Sequence, residues 1–85
     1  MKIEVRKPTE NEKKTASLWP VWTKEISTFP WHYDEKETCL ILEGEVTVKT
    51  AEGEISFKGG DWVIFSEGLD CSWDIKKPVR KHYKF

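Results

Sequence analysis

Turns that contain glycine or proline recur at short intervals from residue 24 onward and divide the chain into short strand-forming segments. The predicted strands are 24–29, 37–43, 45–50, 54–57, 61–65, 70–75 and 79–84. Ahead of them, Ile3 and Val5 alternate with charged residues, and Thr9 with Glu12 predicts one short capped helical turn. Many short strands separated by such turns predict an all-β barrel or sandwich.

The length and composition limit the classes of protein that this chain can be. Its 85 residues predict a single domain over 1–85, in which folding hides roughly 60 to 65 % of the surface. Five Trp, four Phe and two Tyr can supply the core. The net charge is −1 and no Lys/Arg run exceeds two, so neither nucleic acid nor a membrane surface is an expected partner. No secretion signal or membrane span is recognisable, which predicts a cytoplasmic protein.

Strand alternation assigns side chains to faces of the sheet. In segment 37–43, two apolar rows emerge: Glu37, Cys39 and Ile41 on one face, Thr38, Leu40 and Leu42 on the other. The outer row is therefore expected to be covered by other structure or by a second copy, and it is the candidate contact of a homodimer. Later in the chain, Cys71 falls on an inward row, and Lys81 is the one charge on an otherwise apolar row.

Two segments, 30–44 and 60–75, resemble the two signature motifs of the cupins. In the first, Glu37 and Gly44 keep the cupin spacing, His32 stands at the second histidine and Pro30 replaces the first. In the second, the glycines are kept and three positions differ: Ser66 for Pro, Cys71 for His and Ile75 for Asn. The resemblance implies a jelly-roll β-barrel of two packed antiparallel sheets with a pocket at one end.

The chain is similar, more narrowly, to the small single-domain cupins grouped with the ureidoglycine aminohydrolase cupin domain. This similarity rests on the segments around Glu37–Gly44, Cys71-Ser-Trp73 and Val79–Tyr83. The enzyme of that group, as the resemblance implies, is a manganese-dependent hydrolase with two cupin domains that releases ammonia from a purine-degradation intermediate. This chain has one such domain and an altered ligand pattern.

The candidate metal ligands are His32, Glu37 and Cys71. Neutral imidazole, carboxylate and thiolate can together hold a divalent metal, and the thiolate favours zinc or iron, with manganese and nickel as further candidates. The alternatives are a solvated loop histidine, a core thiol, and a buried Glu37 carboxylate paired with Lys81. The candidate catalytic residues are Glu37 as acid or base, Lys81 as a substrate anchor and Cys71 as a nucleophile whose pKa Lys81 or His32 would lower.

Four aromatic residues are candidates either for the wall of a ligand pocket or for the core: Trp62, Phe65, Trp73 and Tyr83. Three functions follow from these residues. The first is a small-molecule-binding cupin, including a hydrolase of a small nitrogen-containing metabolite at a modified metal site. The second is a metal-free ligand-binding or sensing module with an internal Glu37/Lys81 pair. The third is an interaction protein that presents a surface, and the chain is expected to be a monomer or a homodimer.

Overall fold

The computed structural model describes residues 2–85 as seven strands and one helix. The elements in chain order are β1 (Ile3–Arg6), α1 (Glu10–Ala16), β2 (Val21–Lys24), β3 (Ser27–His32), β4 (Glu37–Thr50), β5 (Gly53–Lys58), β6 (Trp62–Phe65) and β7 (Asp70–Lys84). Most of residues 2–85 therefore lie in strands, as the turn spacing predicts.

Two long central strands, β4 and β7, pair with each other and shape the fold. The first half of β4 pairs with β6, and its second half pairs with β5. In the same way, β7 pairs first with β3 and then with β2. One layer is thus β1-β6-β4-β7-β2, and the other is formed by β5, the second half of β4, the first half of β7 and β3. The predicted jelly-roll barrel of antiparallel strands is confirmed.

The predicted breaks inside β4 and β7 were wrong, because Gly44 and Pro78 lie within continuous strands. At this point the register between β4 and β7 shifts, in three steps from Ile41 to Val46. The inward positions of β4 change there from odd to even numbers, so that Cys39 and Ile41 face the core on one side of the shift, and Val46 and Val48 on the other. Gly44 therefore marks a bulge in a bent strand.

The segment predicted as one strand over 24–29 is two strands, separated at Glu25 and Ile26. Helix α1 has seven residues, more than the single turn that the sequence predicts. Its capping box is formed as predicted: the Glu12 backbone N–H donates to the Thr9 hydroxyl, and the Thr9 backbone N–H donates to the Glu12 carboxylate. No helix within residues 2–85 is long and apolar enough to cross a membrane.

The interior consists of two apolar clusters on opposite sides of one sheet. The main cluster fills the barrel and includes the stacked rings of Tyr33 and Phe65, whose centroids are 4.7 Å apart. The second cluster lies outside the barrel and joins Leu40 and Trp62 to Ala16 of α1, with Trp19 packed against them. Leu40 is therefore covered by the N-terminal segment of the same chain, as one of the two alternatives for this row predicts, whereas Leu42 of the same row is exposed.

Candidate functional site

An aromatic cavity of about 190 Å³ lies at one end of the barrel. Seven of its nine lining residues are aromatic, and the remaining two are charged: Trp22, Phe29, Trp31, Tyr33, Glu37, Trp73, Lys81, Tyr83 and Phe85. Strand alternation explains the wall from β7, because Trp73, Lys81 and Tyr83 are all odd-numbered residues of that strand. The side chains of Trp31 and Phe85 are about half exposed, so they lie where the cavity meets solvent.

The two charged residues of the cavity form a buried ion pair. The Lys81 ammonium lies 3.0 Å from Glu37 Oε2, and each side chain is only 5 % exposed. Strand pairing and alternation place both side chains on the inner face of the barrel. Lys81 of β7 pairs with Ile41 of β4, and Glu37 lies four residues before Ile41 on the same face of β4. Since a buried charge without a partner costs several kcal/mol, each residue stabilises the charged form of the other.

The Lys81 ammonium is also enclosed by indole rings. It lies 4.8 Å from the centre of the Trp22 ring and 4.7 Å from that of Trp73, distances at which the ring face attracts a cation. The Cys39 sulfur, 3.5 Å away, accepts a further hydrogen bond from it. The ammonium is thus held from several sides by a carboxylate, a thiol and two aromatic faces.

Tyr33 and Cys39 also belong to the site. The sequence assigns no role to Tyr33, and it places Cys39 only on an apolar row of its strand. Burial is the main reason why the pKa of the Tyr33 hydroxyl is raised, and the nearby Glu37 carboxylate raises it further. Burial likewise raises the pKa of Cys39, despite the opposing charge of Lys81. Both side chains are therefore neutral at neutral pH and leave Glu37 and Lys81 as the charges of the site.

Cys71 lies on the inner row of β7, partly buried against the main cluster. Its thiol donates weakly to the Trp31 carbonyl oxygen at 3.5 Å. Burial raises its pKa to about 11, and the charge of neighbouring Asp70 adds to the rise. Neither Lys81 nor His32 lowers this pKa, and the raised pKa disfavours the thiolate form that a nucleophile needs.

His32 lies on the opposite face of β3 from the cavity. Trp31 pairs with Cys71 across the strands while His32 pairs with Asp70, and a shift of one residue moves a side chain to the other side of the sheet. The imidazole is half exposed, with Nδ1 2.6 Å from Asp70 Oδ1, and this hydrogen bond raises the pKa of His32. His32 is therefore not brought together with Glu37 and Cys71.

Within residues 2–85, no group of three or more His, Cys, Asp and Glu side chains is arranged to hold a metal ion. The ligand set His32, Glu37 and Cys71 is thus not assembled, because alternation turns the histidine outward. The one carboxylate that lines the cavity is already engaged by Lys81, and the Cys39 thiol that contacts the same ammonium is fully buried and neutral. This donor set does not fit the three-ligand pattern of a metal centre.

The four aromatic residues that were predicted to line the pocket lie in three different parts of the structure. Trp73 and Tyr83 line the cavity. Phe65 is fully buried behind it, stacked on Tyr33 and against Trp73. Trp62 does not line the cavity, since it lies in the second cluster with its ring 5.7 Å from that of Trp19. Among the remaining aromatic wall residues, Trp22 lies in β2, and Phe29 and Trp31 lie in β3. The pairing of these two N-terminal strands with β7 has no local signal in the sequence.

The bent jelly-roll barrel of antiparallel strands is the fold of the cupins. Residues 11–83 match the family model described as the EutQ-like cupin domain, and the chain belongs to that family. Comparison with curated proteins gives no match.

Solved structures extend this relationship. A DUF861 family protein from Thermotoga maritima is 45 % identical to this chain over 99 % of both chains, with a TM-score of 0.94. The Clostridium difficile EutQ protein is 16 % identical, over 74 % of this chain and 50 % of its own, with a TM-score of 0.68. A putative ethanolamine utilization protein Q from Salmonella typhimurium is 25 % identical, over 74 % and 51 %, with a TM-score of 0.67. The matched region is about half the length of the two EutQ proteins.

Proposed function

We propose that this protein binds a small, flat, uncharged molecule in the aromatic cavity, with the Glu37–Lys81 pair as its polar anchor. The observation that carries the proposal is the buried ion pair at 3.0 Å in the wall of a cavity that is otherwise aromatic. A few polar groups in an apolar, preformed cavity are the usual composition of a small-molecule site. The anchor needs no metal, since two side chains of the chain supply both charges.

The charge of the pair determines the class of ligand. Because Glu37 and Lys81 neutralise each other, a charged ligand would be attracted by one and repelled by the other. A neutral group that carries an N–H donor beside a carbonyl acceptor can bond with both residues, as an amide, a urea or a lactam does. The cavity of about 190 Å³ restricts the ligand to fragment size, and the ring walls favour a planar one.

Hydrolysis of such a molecule is the second candidate function, and it depends on the same carboxylate. Glu37 is the acidic residue among those that line the cavity, so it is the group that would act as acid or base. A small nitrogen-containing metabolite would fit both this chemistry and the similarity to the ureidoglycine aminohydrolase group. Ethanolamine, which the Salmonella typhimurium relative's description suggests, is a cation and fits the neutral pair less well.

The test is titration of the ¹⁵N-labelled protein with benzamide, which carries the required donor and acceptor on a flat ring. Saturable shifts are expected at the indole N–H signals of Trp22 and Trp73, with a dissociation constant of about 1 mM or tighter. The Trp62 indole lies outside the cavity and should not shift. Benzoate and benzylamine, the charged analogues, should bind at least about tenfold more weakly.

A matched pair of variants identifies the site. Trp31→Ala removes a half-exposed cavity residue and should weaken benzamide binding, whereas Leu18→Ala removes a residue that is 86 % exposed elsewhere and should leave binding unchanged. Benzamide shifts spread over the whole surface, or equal effects of the two variants, would contradict the proposal. Release of ammonia from bound amides, abolished by Glu37→Gln, would establish the hydrolase.

A further inference from the structure

Lys81 differs in its surroundings from every other lysine of residues 2–85, because it alone is buried. Its amino group lies in the wall of a cavity that opens to solvent at Trp31 and Phe85. A carboxylate oxygen is 3.0 Å away, and the nearest rings are the two indoles. An amine in an apolar cavity beside a proton acceptor is the arrangement that lysines use to react with carbonyl compounds.

We propose that Lys81 condenses with a small aldehyde or ketone that enters the cavity, and so forms a Schiff base. The inference rests on the proposed function in one respect, since the carbonyl compound must occupy the same aromatic cavity. It adds a covalent chemistry that binding alone does not require. Glu37 is the group that moves the protons.

The reaction balances with the groups at the site. The Lys81 ammonium first gives a proton to Glu37, and the free amine then attacks the carbonyl carbon, so that a C–N bond forms and the oxygen receives the π electron pair. Transfer of a proton from nitrogen to this oxygen gives the carbinolamine. Glu37 returns its proton to the hydroxyl group, which leaves as water while the nitrogen lone pair forms the C=N bond. The net change is ammonium plus carbonyl to protonated imine plus water.

The site stabilises the product for the same reasons that it stabilises Lys81. A protonated imine is a cation at the position of the ammonium, where it keeps the ring faces of Trp22 and Trp73 and the carboxylate of Glu37. Lys81 lies at the buried part of the cavity, where its side chain is only 5 % exposed, so few water molecules can approach the imine and hydrolyse it. An exposed lysine such as Lys76, whose ion pair with Asp74 lies at the surface, has neither advantage.

The experiment treats the whole protein with limiting benzaldehyde and cyanoborohydride, which reduces an imine to a stable benzylamine, and maps the adducts by peptide mass spectrometry. Lys81 should be labelled at least about tenfold faster than Lys76 in the same sample, because the cavity holds the reactants together. Benzamide added as a competitor should suppress labelling of Lys81 and leave that of Lys76 unchanged. Labelling that follows exposure, with Lys76 ahead of Lys81, would overturn the proposal.

The wild-type measurement does not depend on whether a variant folds. Glu37→Gln adds a second test, since it preserves shape and removes the proton acceptor, and it should slow labelling of Lys81 alone. Benzamide binding without preferential labelling would refute the Schiff base and leave the proposed function standing. Failure of both measurements would refute the two together.

Discussion

Gly44 of β4 lies so close to Pro78 of β7 that a Cβ atom on residue 44 would be 2.6 Å from the Pro78 carbonyl oxygen. It would also be 2.9 Å from the Val79 Cα, and both of these neighbours are backbone atoms. The φ angle of Gly44 is +111°, a conformation that side-chain-bearing residues rarely adopt. The bend that gives the barrel its two layers therefore depends on this glycine.

Gly44→Ala is expected to lower the free energy of unfolding by about 3 kcal/mol or more, because it combines backbone strain with a clash that no side-chain movement can relieve. Gly53→Ala is the matched control. Its φ is +132° and nothing lies within 4 Å of the added Cβ, so strain alone should cost about 1 to 2 kcal/mol. Urea unfolding of both variants measures the difference. Equal losses would show that the close approach to β7 contributes nothing.

The Glu37–Lys81 pair should show strong coupling in a double-mutant cycle. Lys81→Met leaves a buried carboxylate without its partner and is expected to cost about 3 to 5 kcal/mol, whereas Glu37→Leu with Lys81→Met should recover most of that loss. The exposed pair of Lys77 and Glu45, 2.9 Å apart, is the comparison. Its coupling should be about 1 kcal/mol or less. Coupling energies of similar size in the two cycles would contradict the role of burial.

The fold was largely predictable from the sequence because its local signals agree. The glycine turns, the strand alternation and the Thr9–Glu12 cap are all present in the structure. The exceptions occur where tertiary packing overrides a local signal: Gly44 and Pro78 predict turns, but the pairing of β4 with β7 continues past both. A single sequence does not distinguish a glycine that ends a strand in a turn from a glycine at a bulge within a continuous strand.

The site was less predictable, for a reason that His32 and Trp62 illustrate. Alternation assigns side chains within one strand to two faces, but it does not state which face meets the cavity. His32 and Trp62 both lie on the side away from it, the first paired with Asp70 and the second beneath Trp19. Lys81 could be assigned because a lone charge on an apolar row requires a buried partner.

The Cys71 thiol should react slowly with iodoacetamide in the native protein. A pKa of about 11 leaves roughly one thousandth of the thiol ionised at pH 8, whereas an ordinary thiol of pKa ≈ 8.5 is about one quarter ionised. The alkylation rate at Cys71 should therefore rise about tenfold per pH unit up to pH 11. Peptide mapping distinguishes it from the fully buried Cys39, and protein unfolded in urea provides the reference rate. Rapid native alkylation at pH 7 would instead support a nucleophilic Cys71.

Glu12 should make the folded protein acid-sensitive. Two hydrogen bonds of 2.7 Å from Arg6, with a third from the Thr9 backbone, hold the pKa of Glu12 at about 2, below its usual 4.5. Between these two values the unfolded chain binds a proton that the folded chain does not, so the contribution of Glu12 is complete above pH 4.5 and declines toward pH 2. Urea midpoints measured from pH 6 to pH 2 should thus fall more steeply in the wild type than in Glu12→Gln. Arg6→Gln removes the partner and should flatten the profile in the same way, and an unchanged slope in both variants would show that this contact does not persist in solution.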